Sequence, residues 1–246
     1  MADCVSDRAG GGAICAKDRC KIVGCVGIGT NAKRAWIFSR PRGTRVIETK
    51  SFNLEQPLNR MREIVHFTNV NDLHWAGIVD LPPWKQLPLN TNIYSDLYIL
   101  QGELLDRINP SYTSGDFLSP GADKTFTAGP EGARLFAYQD RDALPCDHAM
   151  TSHQLDWRMG GTPDMKVASF IGVGHELMLV SWAQGTRMRF HHHPRGEEIF
   201  VLQGELQDQR GRYPAGTWQR LYPGTGHAPY SETDTLILLR NGHLYI

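Results

Sequence analysis

The chain has 246 residues, with 26 lysines and arginines balanced by 26 aspartates and glutamates, and apolar side chains make up 41% of it. This balance produces no global field that would draw the protein to nucleic acid or to an anionic membrane, so we expect neither as a partner. The length is sufficient for one large β domain or two small ones, each with its own core. The longest uncharged apolar stretch near the start, Ile22 to Gly29, is too short to span a bilayer.

Residues 1–60 are predicted to form an N-terminal extension that is partly flexible. Their glycine-rich start and the basic stretch at 40–43 favour an exposed segment, whereas Arg45 to Phe52 is predicted to add one strand. The first residues carry acidic side chains where a secretory signal would be basic, which predicts a cytoplasmic protein. The five cysteines form an odd set without a CxxC pair and are expected to be free thiols: Cys4, Cys15, Cys20, Cys25 and Cys146.

An internal repeat divides the rest of the chain. Residues 96–106 are DLYILQGELLD and residues 198–208 are EIFVLQGELQD, so that at an offset of 102 six of eleven positions are identical. Downstream, the turn sequences ending at Gly115 and Gly216 also correspond. Self-similarity of this kind indicates that the two halves share one architecture.

That architecture is predicted to be all-β, with few short helices. The repeated segments are rich in β-branched, aromatic and leucine residues and break at a glycine, and no window of 15 residues in 61–246 keeps a helical apolar period. The stretch from Gln139 to His153 is rich in Asp, Pro and Ser and is predicted to be a linker. The expected domains are therefore residues 61–145 and 146–246.

A run of ligand-type residues marks the second half. Successive side chains on a strand point to opposite faces, so His191 and His193 are expected to face the interior together while His192 faces solvent. Glu197 follows a Pro-Arg-Gly turn, and His227 follows another hairpin. Three neutral imidazoles and one carboxylate suit a divalent transition metal such as Fe, Mn, Ni, Zn or Cu, among which the sequence does not choose.

These spacings resemble those of the cupin superfamily. Its first motif, G(X)5HXH(X)3,4E(X)6G, matches from Gly185 to Gly204, whereas in its second motif the proline and glycine are shifted by one place and Ser231 stands where the motif ends in Asn. The HxH-PxGEE run and the Tyr-Pro-Ala-Gly turn are similar to the cupin domains of ChrR-like anti-sigma factors. The resemblance implies two tandem cupin barrels, also called jelly rolls or double-stranded β-helices. It also implies one metal held by His191, His193, Glu197 and His227.

The first repeat lacks this ligand set. At the positions equivalent to the four ligands it has Leu89, Thr91, Ser95 and Lys124. An apolar residue, two hydroxyls and an ammonium do not hold a transition metal, so we expect residues 61–145 to be a metal-free barrel that packs against the second.

Three charged neighbours of the ligands carry further expectations. Continued alternation from His191 would turn Arg187 and Arg189 inward, where Arg189 would bind an anionic substrate or, equally, pair with an interior carboxylate. Glu198 is a second candidate for the carboxylate ligand, but the six-residue gap to Gly204 selects Glu197. Glu198 is then expected on the opposite face, exposed to solvent.

Two functions remain open at this stage. One is a metal-dependent enzyme, either a non-haem Fe(II) dioxygenase or a non-redox isomerase or hydrolase, acting on a small oxygen-chelating molecule. The other is a ChrR-like sensor or regulatory module without catalysis, although the N-terminal residues lack the zinc-ligand pattern of full anti-sigma factors. Because cupin barrels commonly pair, a homodimer is also expected.

Overall fold

A computed structural model describes the protein at residues 47–58, 63–87, 96–107, 111–121, 124–140, 147–170 and 176–244. Within these ranges the only helical segment is a 3₁₀ turn at Ser152–Gln154, which confirms the prediction of an all-β chain with almost no helix. No helix in the described part of the chain is long and apolar enough to cross a membrane.

Nineteen strands are described. The first, β1, spans Ile47–Ser51. Eight follow before the 3₁₀ turn: β2 (Glu63–His66), β3 (His74–Leu81), β4 (Gln86–Leu87), β5 (Asp96–Leu105), β6 (Tyr112–Thr113), β7 (Phe117–Ser119), β8 (Phe126–Asp140) and β9 (His148–Met150). Ten come after it: β10 (Arg158–Met159), β11 (Met165–Phe170), β12 (Glu176–Trp182), β13 (His191–His193), β14 (Glu197–Gln203), β15 (Glu205–Asp208), β16 (Gly211–Pro214), β17 (Thr217–Leu221), β18 (Thr225–His227) and β19 (Thr235–Asn241).

Two large sheets repeat the same strand order. The first runs β2-β3-β8-β5-β7-β9, and the second runs β11-β12-β19-β14-β17-β1 with β10 added beyond β11. Both sheets carry a register shift at the same point of the repeat, between Ile99 and Gln101 in β5 and between Val201 and Gln203 in β14. The repeat in the sequence is thus a repeat of sheet topology, although neither sheet closes on itself in the described ranges.

The two sheets exchange their last strands. Strand β1, which precedes the first half, pairs with β17 of the second sheet, with Thr49 opposite Gln219. Strand β9, at the start of the second half, pairs with β7 of the first sheet, with Ala149 opposite Leu118. The strand predicted within Arg45–Phe52 is therefore confirmed as β1. The predicted linker is not wholly a linker, because β9 lies within it and Met150 packs on the apolar core.

One face of each sheet is buried within its own half, and the other face packs against the opposite half. The shared apolar cluster contains two reciprocal ring pairs. Phe67 of the first half stacks on Trp218 of the second, and Phe170 of the second half stacks on Phe117 of the first. A sheet that is covered on both sides needs apolar residues on both faces. On the face away from the shared cluster, each half has an apolar cluster of its own.

Candidate metal centre

Three histidines meet where strands β13 and β18 pair. The antiparallel register puts His191 opposite His227 and His193 opposite Thr225. The ligand atoms of the three imidazoles lie within 4.8 Å of one another. His193 and His227 are buried and His191 is half-buried, whereas His192 is exposed, as the alternation of side chains along β13 predicted.

Glu197 lies against this group at the start of β14. The turn before it reverses at Gly196, which has a φ of 73°, a left-handed conformation that suits glycine. One carboxylate oxygen of Glu197 lies 3.3 Å from Nδ1 of His193, and the other lies 3.5 Å from Nε2 of His227. The structure therefore brings all four sequence-predicted residues together.

Burial sets the charge state of the group. Burial first, and then the neighbouring imidazoles, lower the pKa of His193 to about 4 and the pKa of His227 to about 3. Burial also raises the pKa of Glu197 to about 8. Without a cation, this pocket therefore favours neutral imidazoles and a protonated carboxyl.

Hydrogen bonding selects the tautomer of His191. Its Nδ1 lies 2.9 Å from the main-chain carbonyl of Arg189, and since a carbonyl only accepts, Nδ1 carries the proton. Nε2 then keeps the lone pair that a metal requires. On the far side of His227, Nδ1 lies 3.8 Å from a carboxylate oxygen of Asp208, which in turn accepts a hydrogen bond from the Tyr213 hydroxyl.

The group fits a divalent transition metal. Nε2 of His193 and Oε1 of Glu197 are buried and have no hydrogen-bond partner among the described residues. Buried polar atoms are normally satisfied, and a metal ion between them would supply the missing interaction. Imidazole and carboxylate ligands suit Fe, Mn, Ni and Zn alike, so the donor set does not identify the ion.

The expected inward orientation of Arg187 and Arg189 is not found. Strand β13 begins only at His191, so alternation does not continue back to these residues, and both are exposed. The guanidinium of Arg187 lies 4.6 Å from the ring centre of Tyr230. Arg189 is close to the site through the carbonyl that receives the His191 proton, and its role towards a substrate remains a prediction.

The prediction that Glu198 is exposed is wrong. Its side chain is 0% exposed, because the face of β14 opposite Glu197 is covered by the first half of the chain. Alternation identified the face correctly but gave no information about what covers it. Arg220, whose Nε donates to Glu198 at 2.6 Å, is the charged partner that the sequence did not reveal.

Of the four positions in the first half that correspond to the ligands, the structure describes only one. Leu89, Thr91 and Ser95 lie outside the described residues, as do all five cysteines. Lys124 donates a hydrogen bond to Asp106 at 3.3 Å. The absence of a metal from residues 61–145 therefore remains a prediction.

Comparison with known proteins places the four predicted ligands within a recognised domain. Residues 147–245 match the family model described as the ChrR Cupin-like domain, which includes all four predicted ligands. No curated protein matches the chain.

Solved structures resemble a larger part of the chain. A protein described as glyoxylate-induced from Pseudomonas aeruginosa has 15% identity and a TM-score of 0.64, over 89% of this chain and 96% of its own. An oxalate decarboxylase variant from Bacillus subtilis has 11% identity and a TM-score of 0.58, over 82% of this chain and 79% of its own. A salicylate 1,2-dioxygenase from Pseudaminobacter salicylatoxidans has 12% identity and a TM-score of 0.54, over 69% of this chain and 70% of its own.

Identities this low establish a shared fold and do not transfer an activity. The fold, the spacing of the ligands and the match to the family model agree with one another. The described sheets therefore share the cupin fold of these solved structures, and residues 147–245 match the ChrR cupin-like domain.

Proposed function

We propose that this protein is a metal-dependent enzyme, dioxygenase-like, that acts on a small organic molecule able to chelate a metal through oxygen. The observation that carries the proposal is the cluster of three imidazoles with the buried carboxylate of Glu197 beside it. Its ligands are His191, His193, Glu197 and His227. Likeness in fold to a dioxygenase and a decarboxylase is consistent with this reading.

The chain leaves one side of the centre open. His193, His227 and Glu197 are buried, but His191 is half-buried, so a small molecule reaches the centre past His191. Arg189, whose carbonyl contacts His191, is proposed to bind an anionic group of the substrate. A divalent ion held by these four residues would supply Lewis-acid or redox chemistry there.

The residues of the chain prepare this site in two ways. The carbonyl of Arg189 keeps the proton of His191 on Nδ1, which leaves Nε2 available as a ligand. Burial keeps His193 and His227 neutral at physiological pH, so no proton has to leave these imidazoles before they bind a cation.

We further propose that the two halves are two cupin barrels in tandem, at residues 61–145 and 146–246, after an extension at 1–60 that contributes β1. In this reading the first barrel is metal-free. The repeated strand order supports the tandem arrangement. A homodimer of the whole chain is proposed as well, which size-exclusion chromatography with light scattering would test.

A ChrR-like sensor without catalysis is the second candidate, and the family match over residues 147–245 favours it. In that case the metal and a small ligand would change the contacts of the protein rather than undergo turnover. Both candidates require the same metal centre and differ in what happens after a ligand binds.

Metal content followed by an oxygen-uptake assay separates the two candidates. The purified protein is analysed by mass spectrometry for metals, loaded anaerobically with Fe(II), and screened for oxygen consumption with diketones and hydroxyacetophenones. We expect uptake with at least one chelating compound. Retention of metal without turnover, together with a ligand-induced change in amide exchange, would instead support the sensor. Stoichiometric zinc with no coordination position open to a ligand would contradict the dioxygenase proposal.

A further inference from the structure

A buried ion-pair chain reaches the metal-binding strand from the first half. Nε of Arg220 donates to Oε1 of Glu198 at 2.6 Å, and both side chains are almost completely buried. The other oxygen of Glu198 lies 3.2 Å from Nε2 of His243. Within the second half, Glu198 is therefore hydrogen-bonded to Arg220 through one oxygen and lies close to His243 with the other.

Arg220 also crosses to the first half. One terminal nitrogen of its guanidinium donates to Oδ2 of Asp72 at 2.8 Å, and the other donates to the main-chain carbonyl of His74. These contacts join residues almost 150 positions apart in the sequence. A planar guanidinium with donors in fixed directions is suited to holding three such acceptors in one geometry.

The ion-pair chain lies directly behind the predicted metal ligand. Glu197 and Glu198 are consecutive in β14, so the first faces the histidines and the second faces the opposite half. Across the ladder Arg220 is opposite Glu198, and Leu221 is opposite Glu197. A shift of β14 that moved Glu198 away from Arg220 would move Glu197 away from the histidines as well.

We propose that Arg220 and Asp72 are positioning residues for Glu197, through which the first half fixes the geometry of the metal centre in the second. The inference rests on the proposed function, because it assumes that Glu197 ligates a metal. It also gives the half without predicted ligands a role towards the centre. Neither Arg220 nor Asp72 touches the metal or the substrate in this scheme.

Stabilisation of the fold alone is a weaker explanation of the ion-pair chain. Burial of a charge pair has a desolvation penalty that often cancels its attraction, and replacement by apolar residues is frequently neutral or stabilising. A role in geometry predicts a specific effect on metal binding, whereas a role only in stability predicts the same effect for any buried pair of this type.

The first half contains a matched control pair. Asp80 accepts from Arg134 at 2.7 and 2.6 Å, and both side chains are buried. Arg134 also donates to the main-chain carbonyl of Gln56 at 2.9 Å. Like Asp72–Arg220 it is a carboxylate–guanidinium pair, although Asp72 is 27% exposed and Asp80 is 3% exposed. It lies in the first sheet, where β8 pairs with β3, whereas Glu198 lies in the second.

The experiment uses Co(II) as the probe, in the full-length protein made metal-free. Co(II) affinity and the visible absorption bands of the complex are measured for the wild type, Asp72→Ala, Asp72→Glu and Asp80→Ala, with the thermal midpoint of each. We expect Asp72→Ala to weaken Co(II) binding about three- to tenfold and to shift the bands, since changes outside the ligand shell commonly have effects of this order or larger. Asp72→Glu should recover part of both. Asp80→Ala should lower the thermal midpoint and leave the bands unchanged.

Two results would overturn the inference while leaving the proposed function intact: Asp72→Ala indistinguishable from the wild type in Co(II) binding, or Asp80→Ala weakening it equally. Failure of the wild type to bind Co(II) would overturn the proposed function and this inference with it. If Asp72→Ala does not fold, Asp72→Asn keeps the shape, removes the charge, and is judged by the same two measurements.

Discussion

The ring of Phe67 stacks on the indole of Trp218, with centroids 5.5 Å apart and planes 9° apart. The same contact recurs with the halves reversed, where Phe117 stacks on Phe170 at 4.4 Å and 18°. In each pair one ring comes from the strand β2 or β11, or from the residue that follows it. The other ring lies on β17 or β7, the strands that pair with β1 and β9. The two halves are held together by contacts that occur twice.

Replacement of Phe67 tests how much this contact contributes. Its side chain is 1% exposed and also packs on Phe136 and Phe200. We expect Phe67→Ala to lower the free energy of unfolding by about 3 to 5 kcal/mol, because it removes apolar contacts and leaves a cavity. Urea denaturation of the metal-free protein measures the change. Phe190→Ala, at a position 56% exposed, is the control and should change it by less than about 0.5 kcal/mol. Equal effects at the two positions would contradict the structure.

Adjacent histidines in β13 provide the sharpest test of the ligand assignment. We expect His193→Ala to weaken metal binding at least about 100-fold, since it removes a ligand. His192→Ala should retain the metal content of the wild type, because this side chain is exposed. Metal analysis after dialysis against a weak chelator distinguishes the two variants. The reverse order of metal loss would refute the alternation of side chains in β13.

The carboxyl of Glu197 predicts a pH dependence of stability in the metal-free protein. Its pKa is raised from 4.5 to about 8 on folding, so the folded state holds a proton that the unfolded chain has released. This contribution to stability is fully present below pH 4.5 and is lost as the pH rises through about 8. Between about pH 7 and about pH 8.5 the expected loss is about 1 kcal/mol.

Histidine titration does not interfere in that interval. The pKa values of His193 and His227 are lowered from 6.5 on folding, so their contribution is present above pH 6.5 and is lost only as the pH falls. Urea unfolding of the wild type and of Glu197→Gln, at both ends of the interval, measures the difference. Glu197→Gln should lose about 1 kcal/mol less than the wild type, and parallel curves would show that Glu197 does not titrate as described.

Removal of β1 tests the strand exchange. A variant beginning at residue 53 lacks the partner of β17, so the amides of Thr217–Leu221 that face β1 should exchange with solvent at least about tenfold faster. A variant that begins at residue 45 keeps β1 and serves as the control. Hydrogen exchange with mass spectrometry resolves this strand. Unchanged protection of β17 in the shorter variant would contradict the pairing.

Much of the fold was predictable because the repeat consists of short segments in which identical residues follow closely on one another. Gly102 and Gly204 have φ values of 76° and 74°, so the shared Leu-Gln-Gly sequence makes the same turn in both halves. The meeting of His191 and His193 was predictable for a similar reason, since alternation along a strand depends only on the backbone.

What the sequence did not reveal depends on distant parts of the chain. The burial of Glu198 requires the first half to cover its face, and Arg220 reaches Asp72 across 148 positions. Nothing in the local pattern of β14 distinguishes such a face from one that meets solvent. The predicted inward orientation of Arg189 was wrong for a local reason. It assumed that the strand extends back to Arg189, whereas β13 begins only at His191.

Exchange of β1 and β9 also has a consequence for how the molecule unfolds. Neither half can melt without pulling a strand out of the sheet of the other, so the described halves should not behave as independent units. The chain is expected to lose its structure in one cooperative transition, despite being built from two copies of one motif. A fragment cut at the boundaries of the recognised domain would lack β1, and would keep β9 with no β7 to pair with.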